Sequence, residues 1–273
     1  MHADYFADQL RVMAALGNGP APDRTLQAFK MIPRETFAGP GPWKVRSALA
    51  QNGFAIRHTP DNDPRWLYHS VLIVLDEEKG INIGEPSLWA RLLTRADIQP
   101  GARILQVGAG VGYYSAILGH LAGPDGRVLA YEAQQDLAER AAVNLAAWSN
   151  VEIRHGNAAT DLRGDDAFDL IVAFAGVTHI PKAWSSRLAP DARLLLPLTG
   201  TTGWGAMILA CRCNDGFDAV TLGQCGFYPC IGARDDAFAR RVTDLFSDPS
   251  RLVDWHLRMI DTDDGACLEN AVT

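Results

Sequence analysis

The sequence predicts an α/β protein built on a doubly wound, mostly parallel sheet of seven strands that ends in an antiparallel hairpin, with an N-terminal helical cover. Strand-like and helix-like segments alternate after residue 85, three glycines separate the first strand from its helix, and two later strand-like segments are joined by a tight turn. Strands separated by single helices pair in parallel through right-handed crossovers. These three observations define the predicted fold class.

The N-terminal part is predicted to be helical and then irregular. Apolar side chains recur at helical spacing over residues 4–16, and the terminator 17–20 (Gly-Asn-Gly-Pro) follows. A second short helix begins near Asp23 and ends before Pro33, because the residue before a proline avoids the helical region. Residues 37–64 are rich in Gly, Pro and Asn with little periodicity, which indicates irregular structure.

The central part alternates between strands and helices. A helix begins at Pro86, since proline is favoured in the first turn. The predicted strands cover 103–107, 127–131, 151–154, 169–174 and 193–198. Two more, 206–213 and 217–227, form a hairpin around an Asn-Asp-Gly turn. The chain is thus divided into a cover (1–82), a cofactor-binding domain (83–230) and a helical C-terminal extension (231–273).

The composition excludes several classes of function. The chain has 273 residues, and 25 Lys and Arg against 32 Asp and Glu give a net charge of −7, whereas broad contact with a phosphate backbone requires a basic surface. The longest apolar run, 71–75, is far shorter than the roughly 20 residues of a membrane span, and the acidic start is unlike a secretory signal. We expect a cytoplasmic monomer or homodimer that binds neither nucleic acid nor membrane.

The five cysteines are predicted to be reduced. An odd number in a chain without an export signal argues against a disulfide set. The spacings Cys211-x-Cys213 and Cys225-x₄-Cys230 fit no common zinc pattern, so no metal site is predicted.

Polar and glycine residues at three strand ends predict a nucleoside cofactor. Gly108, Gly110 and Gly112 let the backbone bend tightly and approach a ligand. Glu132 follows the next strand, where a carboxylate can accept both ribose hydroxyls, and Asn157 follows the third, where its amide can hold an adenine amino group. Each residue alone also fits an ordinary turn.

The order of several motifs resembles that of the protein-L-isoaspartate O-methyltransferase family. Residues 28–37 (AFKMIPRETF) are similar to its A-x-x-x-V-P-R-E-x-F, residues 83–86 (IGEP) to its I-S-Q-P, and residues 104–114 to its V-L-E-I-G-x-G-x-G-Y. Segments 168–181 and 193–197 extend the similarity to about residue 200.

The resemblance implies a class I S-adenosyl-L-methionine (SAM)-dependent methyltransferase that methylates a carboxylate of a peptide, protein or small molecule. It implies that SAM is bound by the glycine loop and by the strand ends: Gln106, Gly108, Gly110, Gly112, Tyr113, Glu132, Ala133, Asn157, Ala158 and Phe174. Gly84, Glu85, His179 and Tyr68 are the candidate catalytic residues. Trp66, Tyr68 and His69 are expected to approach the methyl end of the cofactor from a flexible cover.

Three departures from the family bear on the reaction. Gln106 replaces an acidic residue, Asn157-Ala158 replaces Asp-Gly, and Gly84 replaces a serine that lies close to the methyl acceptor in the family. Strict isoaspartate repair is therefore not expected. A carboxylate acceptor needs no general base at pH 7, whereas an amine or hydroxyl needs one, for which His179, His69 and Glu85 are candidates. A non-catalytic SAM-binding module and an NAD-dependent oxidoreductase remain as alternatives.

Overall fold

Three helices open the chain. The computed structural model describes residues 2–16, 23–47 and 55–269, and the predicted terminator 17–20 lies outside them. The helices are α1 (His2–Leu16), α2 (Asp23–Met31) and α3 (Arg34–Ala38). Phe6, Leu10 and Ala14 give α1 one buried face at helical spacing, as predicted.

A small antiparallel sheet follows where irregular structure was predicted. Its strands are β1 (Lys44–Arg46), β2 (Ile56–His58), β3 (Leu72–Asp76) and β4 (Ile81–Ile83), in the order β2-β1-β3-β4. Ile73 and Ile83 on one face are buried in the core, while Arg46 and Leu72, which pair across β1 and β3, lie on the other face. The expectation of a purely helical and irregular cover is therefore wrong, because strands of three to five residues are too short to show a clear periodicity.

Arg34 of α3 forms hydrogen bonds with the segment before β3. Its guanidinium is fully buried and donates hydrogen bonds to the carbonyl oxygens of Leu67 (2.6 Å) and Val71 (3.0 Å). It also lies 5.6 Å from the centre of the Tyr113 ring. Burial lowers the pKa of Arg34, and the carbonyl groups compensate for part of the lost hydration.

The large sheet confirms the α/β class and has more strands than predicted. It has the order β7-β6-β5-β8-β10-β11-β12-β13-β14-β9, parallel from β7 to β10 and antiparallel from β10 onward. Its parallel strands are β5 (Arg103–Val107), β6 (Arg127–Glu132), β7 (Val151–His155), β8 (Phe168–Ala173) and β10 (Leu188–Thr199). The helices around this half are α4 (Pro86–Ala96), α5 (Tyr113–Ala122) and α6 (Gln135–Asn144).

The antiparallel half includes three strands that were not predicted. The hairpin of β11 (Trp204–Cys213) and β12 (Gly216–Gly226) continues into β13 (Val253–Thr262) and β14 (Gly265–Leu268), and β14 pairs with β9 (Ile180–Pro181). The two helices here are α7 (Lys182–Ser185) and α8 (Asp236–Leu245). The predicted helical extension is therefore wrong beyond α8, and its last residues, 270–273, lie outside the described chain.

Two hydrophobic cores lie on opposite faces of the large sheet. One contains the inner faces of α1, α2, α4 and α5, and the other contains Trp184 of α7, Val242 of α8 and Met259 of β13. Within the described residues, no helix has the length and apolarity needed to cross a bilayer. The same part of the chain contains no group of three or more potential metal ligands, and its five cysteines are free thiols.

Candidate active site

A cavity of about 890 Å³ opens where β5 and β8 end. The glycine loop after β5 and Phe174 after β8 form one wall, and the segment from Gly84 to Arg91 at the start of α4 forms the second. The outer face of the small sheet forms the third wall, and the ends of β11 and β12 form the fourth. A volume of this size is within the range of small-molecule sites.

The three predicted glycines serve different purposes. All three have positive φ angles, which glycine adopts without strain. A Cβ atom on Gly110 would meet nothing within 4 Å, whereas one on Gly112 would lie 2.6 Å from Cδ1 of Leu145. Gly110 therefore presents bare backbone to open space, and Gly112, where α5 begins, allows close packing against the segment after α6.

Glu132 anchors the glycine loop from the end of β6. Its carboxylate accepts hydrogen bonds from the backbone N–H of Gly110 (2.7 Å) and of Gln134 (2.9 Å). Burial raises the pKa of this carboxyl group, while the backbone donors oppose that shift. These hydrogen bonds hold the Glu132 side chain next to the glycine loop. Glu132 does not line the cavity itself, but Gly110, to which it is hydrogen-bonded, does.

Gln106 contributes a polar group that the described residues leave unsatisfied. The side chain is fully buried at the end of β5 and lines the cavity. Its Nε2 lies 3.4 Å from the carbonyl oxygen of Gly108, and its Oε1 has no hydrogen-bond partner within the described chain. A buried acceptor without a partner is costly, so the site fits a ligand that brings a donor to this position.

Gly84 makes room for a tryptophan. A Cβ atom on Gly84 would lie 2.5 Å from Nε1 of Trp89, which is closer than any real contact of this kind. The Trp89 ring stacks on Phe174 with a centroid distance of 3.7 Å, and the hydroxyl of Tyr114 donates to the Gly84 carbonyl oxygen at 2.8 Å. The indole thus occupies the volume into which any side chain at residue 84 would extend.

A cluster of two serines and Glu85 lies beside this pair. The Oγ of Ser70 is 2.9 Å from Oε1 of Glu85 and 2.5 Å from Oγ of Ser87. Glu85 and Ser87 line the cavity, and Ser70 joins them to the segment that Arg34 holds. Glu85 is therefore a hydrogen-bonded residue of the cavity wall.

Two arginines line the same cavity. Arg91, one turn further along α4, donates to the Leu222 carbonyl oxygen at 2.7 Å, and burial lowers its pKa. The side chain of Arg46 is half-buried and forms no hydrogen bond or ion pair with any of the residues that the structure describes. Lys44, which pairs with the Glu77 carboxylate at 2.8 Å, lowers the pKa of that group, and the charge of Arg46 contributes to the same shift.

The structure brings about half of the predicted site residues to one cavity. Those that line it are Gly84, Glu85, Gln106, Gly108, Gly110, Tyr113 and Phe174. Gly112, Glu132 and Ala133 adjoin the loop without lining the cavity. Asn157 and Ala158 are held elsewhere: Asn157 packs against Gly232, and the Ala158 carbonyl accepts a hydrogen bond from Trp184.

Two predicted catalytic residues and the expected lid aromatics do not line the cavity. The hydroxyl of Tyr68 donates to Glu35 at 2.8 Å, and the indole of Trp66 donates to Asp61. His69 also lies outside the lining. His179 contacts Thr178 and Phe238, and burial lowers its pKa although nearby acids oppose the shift.

Sequence reasoning missed Ser70, Ser87, Trp89 and Arg91. Ser87, Trp89 and Arg91 follow the Ile-Gly-Glu-Pro motif within one and a half turns of helix, so a helical projection of α4 could have found them. The position of Arg46 at the cavity depends on the pairing of β1 with β3, which joins residues far apart in the chain.

The strand order and the glycine loop, with an acid at the next strand end, are typical of the α/β proteins that use SAM as a methyl donor. The model of the family described as protein-L-isoaspartate(D-aspartate) O-methyltransferase (PCMT) matches residues 12–233. The chain therefore belongs to the PCMT family and is a SAM-dependent methyltransferase, as the resemblance predicted. Neither alternative class finds support in the comparisons.

Relatives and solved structures agree with this assignment. The chain is 29% identical over 220 residues to the protein-L-isoaspartate O-methyltransferase of Koribacter versatilis, covering 80% of this chain and 87% of the relative. It is also 29% identical over 210 residues to protein-L-isoaspartate O-methyltransferase 1 of Rhodopseudomonas palustris, covering 76% and 75%.

Two solved structures share the fold. One protein-L-isoaspartate O-methyltransferase superposes with a TM-score of 0.67 at 20% identity, covering 83% of this chain and 65% of that one. A Plasmodium falciparum protein assigned to the same family, in complex with S-adenosyl-L-homocysteine, gives 0.62 at 17% identity and covers 85% and 98%.

Proposed function

We propose that this protein transfers the methyl group of SAM to a carboxylate oxygen of a peptide, protein or small molecule. When bound, SAM supplies a sulfonium methyl group, and its transfer to a carboxylate oxygen forms a C–O bond, leaves the C–S electron pair on sulfur and moves no proton. The protein's contribution is to orient the acceptor and to exclude water.

The residues that would hold the cofactor are those of the glycine-loop wall. The bare backbone at Gly108 and Gly110, the positive end of α5 and the unsatisfied Oε1 of Gln106 offer complementary groups to its amino-acid end. Glu132 would bind the ribose hydroxyls, and Asn157 and Ala158 would border the adenine.

The guanidinium of Arg46, which has no partner among the described residues, supports the assignment of a carboxylate acceptor. Arg46 and Arg91 bring two positive charges to the cavity, while Glu85 brings one negative charge that is already hydrogen-bonded to Ser70. A guanidinium that is partly removed from water and unpaired favours an anionic ligand. A carboxylate is ionised at pH 7 and can react without a base, so no role for His179 is required.

The names of the relatives specify isoaspartate. The contact between residue 84 and Trp89 distinguishes this site from one that is specialised for the isoaspartyl side chain. No hydroxyl group can be added at residue 84 while Trp89 occupies the adjoining volume. We infer that isoaspartyl peptides are poor substrates and that the acceptor has a different shape.

The decisive experiment measures base-labile methyl groups. Purified protein is incubated with methyl-labelled SAM and matched isoaspartyl, aspartyl and simple carboxylate acceptors, and methanol released by mild alkali is counted. Methyl esters release methanol under these conditions, whereas N-methyl and ether products do not. Arg46→Gln should reduce ester formation by roughly tenfold or more. Alkali-stable labelling alone would contradict a carboxylate acceptor.

A further inference from the structure

The cavity walls opposite the glycine loop are mostly apolar. Leu72 and Leu75 of the small sheet, Leu88 of α4 and Phe227 after β12 all line this part of the cavity. They are contributed by elements far apart in the chain. The fold therefore brings apolar side chains from separate elements into one cavity.

The apolar surface continues to the mouth of the cavity. Met13 at the end of α1 is 44% exposed and Trp204 at the start of β11 is 56% exposed, and both belong to the cavity lining. Single exposed apolar side chains are common, but these two extend a surface that already includes the four inner residues. A ligand that entered here would remove all of them from water together.

Arg46 is the cavity-lining charged residue on the small sheet. It lies directly across from Leu72 in the pairing of β1 with β3, so both side chains project from the same face of the small sheet. Lys44 pairs with the nearby Glu77, whose carboxylate also interacts with the Arg46 charge, so two cations share one carboxylate and Arg46 has no ion pair of its own within the described residues. A cation beside apolar side chains complements a ligand with an anionic end and an apolar body.

We propose that the methyl acceptor is a carboxylate carried on an apolar body, with the carboxylate at Arg46 and the apolar part along Leu72, Met13 and Trp204. This inference rests on the proposed function and specifies its substrate class. A long acyl chain and a peptide with apolar residues beside the carboxylate share this chemistry, and the experiment separates the two.

The first measurement uses simple probes and requires no turnover. Decanoate, butyrate and decan-1-ol are titrated calorimetrically into the full-length protein saturated with S-adenosyl-L-homocysteine. Decanoate should bind at least about tenfold more tightly than butyrate, because each buried methylene contributes roughly fourfold. It should also bind more tightly than decan-1-ol, which has the same chain without the charge. Equal affinities for decanoate and butyrate would overturn the proposal.

Matched variants locate the binding. Arg46→Gln should weaken decanoate binding by roughly ten- to hundredfold and leave decan-1-ol unchanged. Arg57→Gln makes the same charge change on exposed β2 outside the cavity and should have no effect. Met13→Ser should weaken binding several-fold, whereas Val12→Ser, its exposed neighbour outside the lining, should not. Equal effects within either pair would place binding elsewhere.

The second measurement shows whether the acceptor is an acyl chain or a peptide, and it tests the proposed function separately. Ester formation is compared for decanoate, acetyl-Leu-Leu-Asp amide and acetyl-Ser-Ser-Asp amide. A faster reaction with the leucine peptide than with decanoate assigns a peptide acceptor, and the reverse order assigns an acyl chain. A preference for the serine peptide overturns the apolar acceptor. If decanoate binds tightly but no carboxylate is esterified, the binding site for a carboxylate with an apolar body is supported and the proposed reaction is wrong.

Discussion

The two loops that face each other across the cavity both contain glycine, for opposite reasons. In the loop from Val107 to Gly112, the missing side chain at Gly110 leaves open space beside the backbone. In the loop from Ile83 to Glu85, the space beside Gly84 is filled by Trp89. A glycine in a motif therefore indicates a ligand only when its empty volume is not occupied by the protein itself.

The largest effect is expected at Gly112, which combines a left-handed backbone with close packing. Its φ angle is 92°, and a Cβ atom would overlap Leu145. Gly112→Ala should lower the free energy of unfolding by roughly 2 to 5 kcal/mol, the sum of backbone strain and overpacking. Urea denaturation measures this change. A loss below about 1 kcal/mol would show that the loop relaxes freely.

Removing the Glu132 carboxylate, which holds the glycine loop, tests whether this loop binds the cofactor. Glu132→Ala leaves the N–H groups of Gly110 and Gln134 without their acceptor. We expect S-adenosyl-L-homocysteine to bind more weakly by roughly 1.5 to 3 kcal/mol. Calorimetry gives the affinity, and Glu152→Ala on β7, which removes a half-buried carboxylate paired with Arg127 and Arg154, serves as the control. Unchanged affinity would exclude a role for Glu132 in the cofactor site.

Gly84 should tolerate a side chain only when Trp89 is made smaller. Gly84→Ala should destabilise the protein by about 1 to 3 kcal/mol through overpacking. In the Trp89→Leu background the same substitution should cost less than about 0.5 kcal/mol, so that a double-mutant cycle shows strong coupling. Additive costs would show that the indole does not restrict residue 84.

Gly110→Ala should have a smaller effect on stability than on binding. The added methyl group meets no protein atom within 4 Å, so only the strain at φ 56° remains, about 1 to 2 kcal/mol. The methyl group would project into ligand space and weaken S-adenosyl-L-homocysteine binding. Calorimetry beside urea denaturation separates the two quantities, and intact affinity would place the ligand away from this loop.

The smallest expected effect is a pH dependence that arises from Glu132. Burial raises its pKa above the ordinary value of 4.5. Just above pH 4.5 the folded protein therefore keeps a proton that the unfolded chain has released, and the free energy of unfolding falls as pH rises through this interval. Glu132→Gln should remove this contribution, at most about 1.4 kcal/mol per pH unit. If the free energy of unfolding changed with pH in the same way in the unsubstituted protein and in Glu132→Gln, the prediction would be wrong.

The cavity wall formed by the glycine loop was predictable from local sequence. The wall formed by the small sheet was not. Gly108, Gly110 and Glu132 follow strands whose apolar runs are visible in the sequence, so the parallel half and its loop could be located. The small sheet depends on pairings between distant residues, such as Val45 with Ile73, which no local pattern in its short strands specifies. Tyr68 was expected at the cavity, but its partner Glu35 lies 33 residues earlier, and the neighbouring Ser70 contacts the site residues instead.

Part of the antiparallel half did carry a signal. Val253, Trp255, Leu257 and Met259 alternate along β13 with the period of a strand. The pairing of β14 with β9 spans more than 80 residues of chain, and no local pattern specifies it.

That pairing has a consequence for how the protein is synthesised. The five parallel strands and their helices are complete once residue 199 has been made. The second core, however, needs Met259 and Leu268 against strands translated long before. During translation the parallel half can therefore begin to fold while Ile180 and its neighbours still lack their cover.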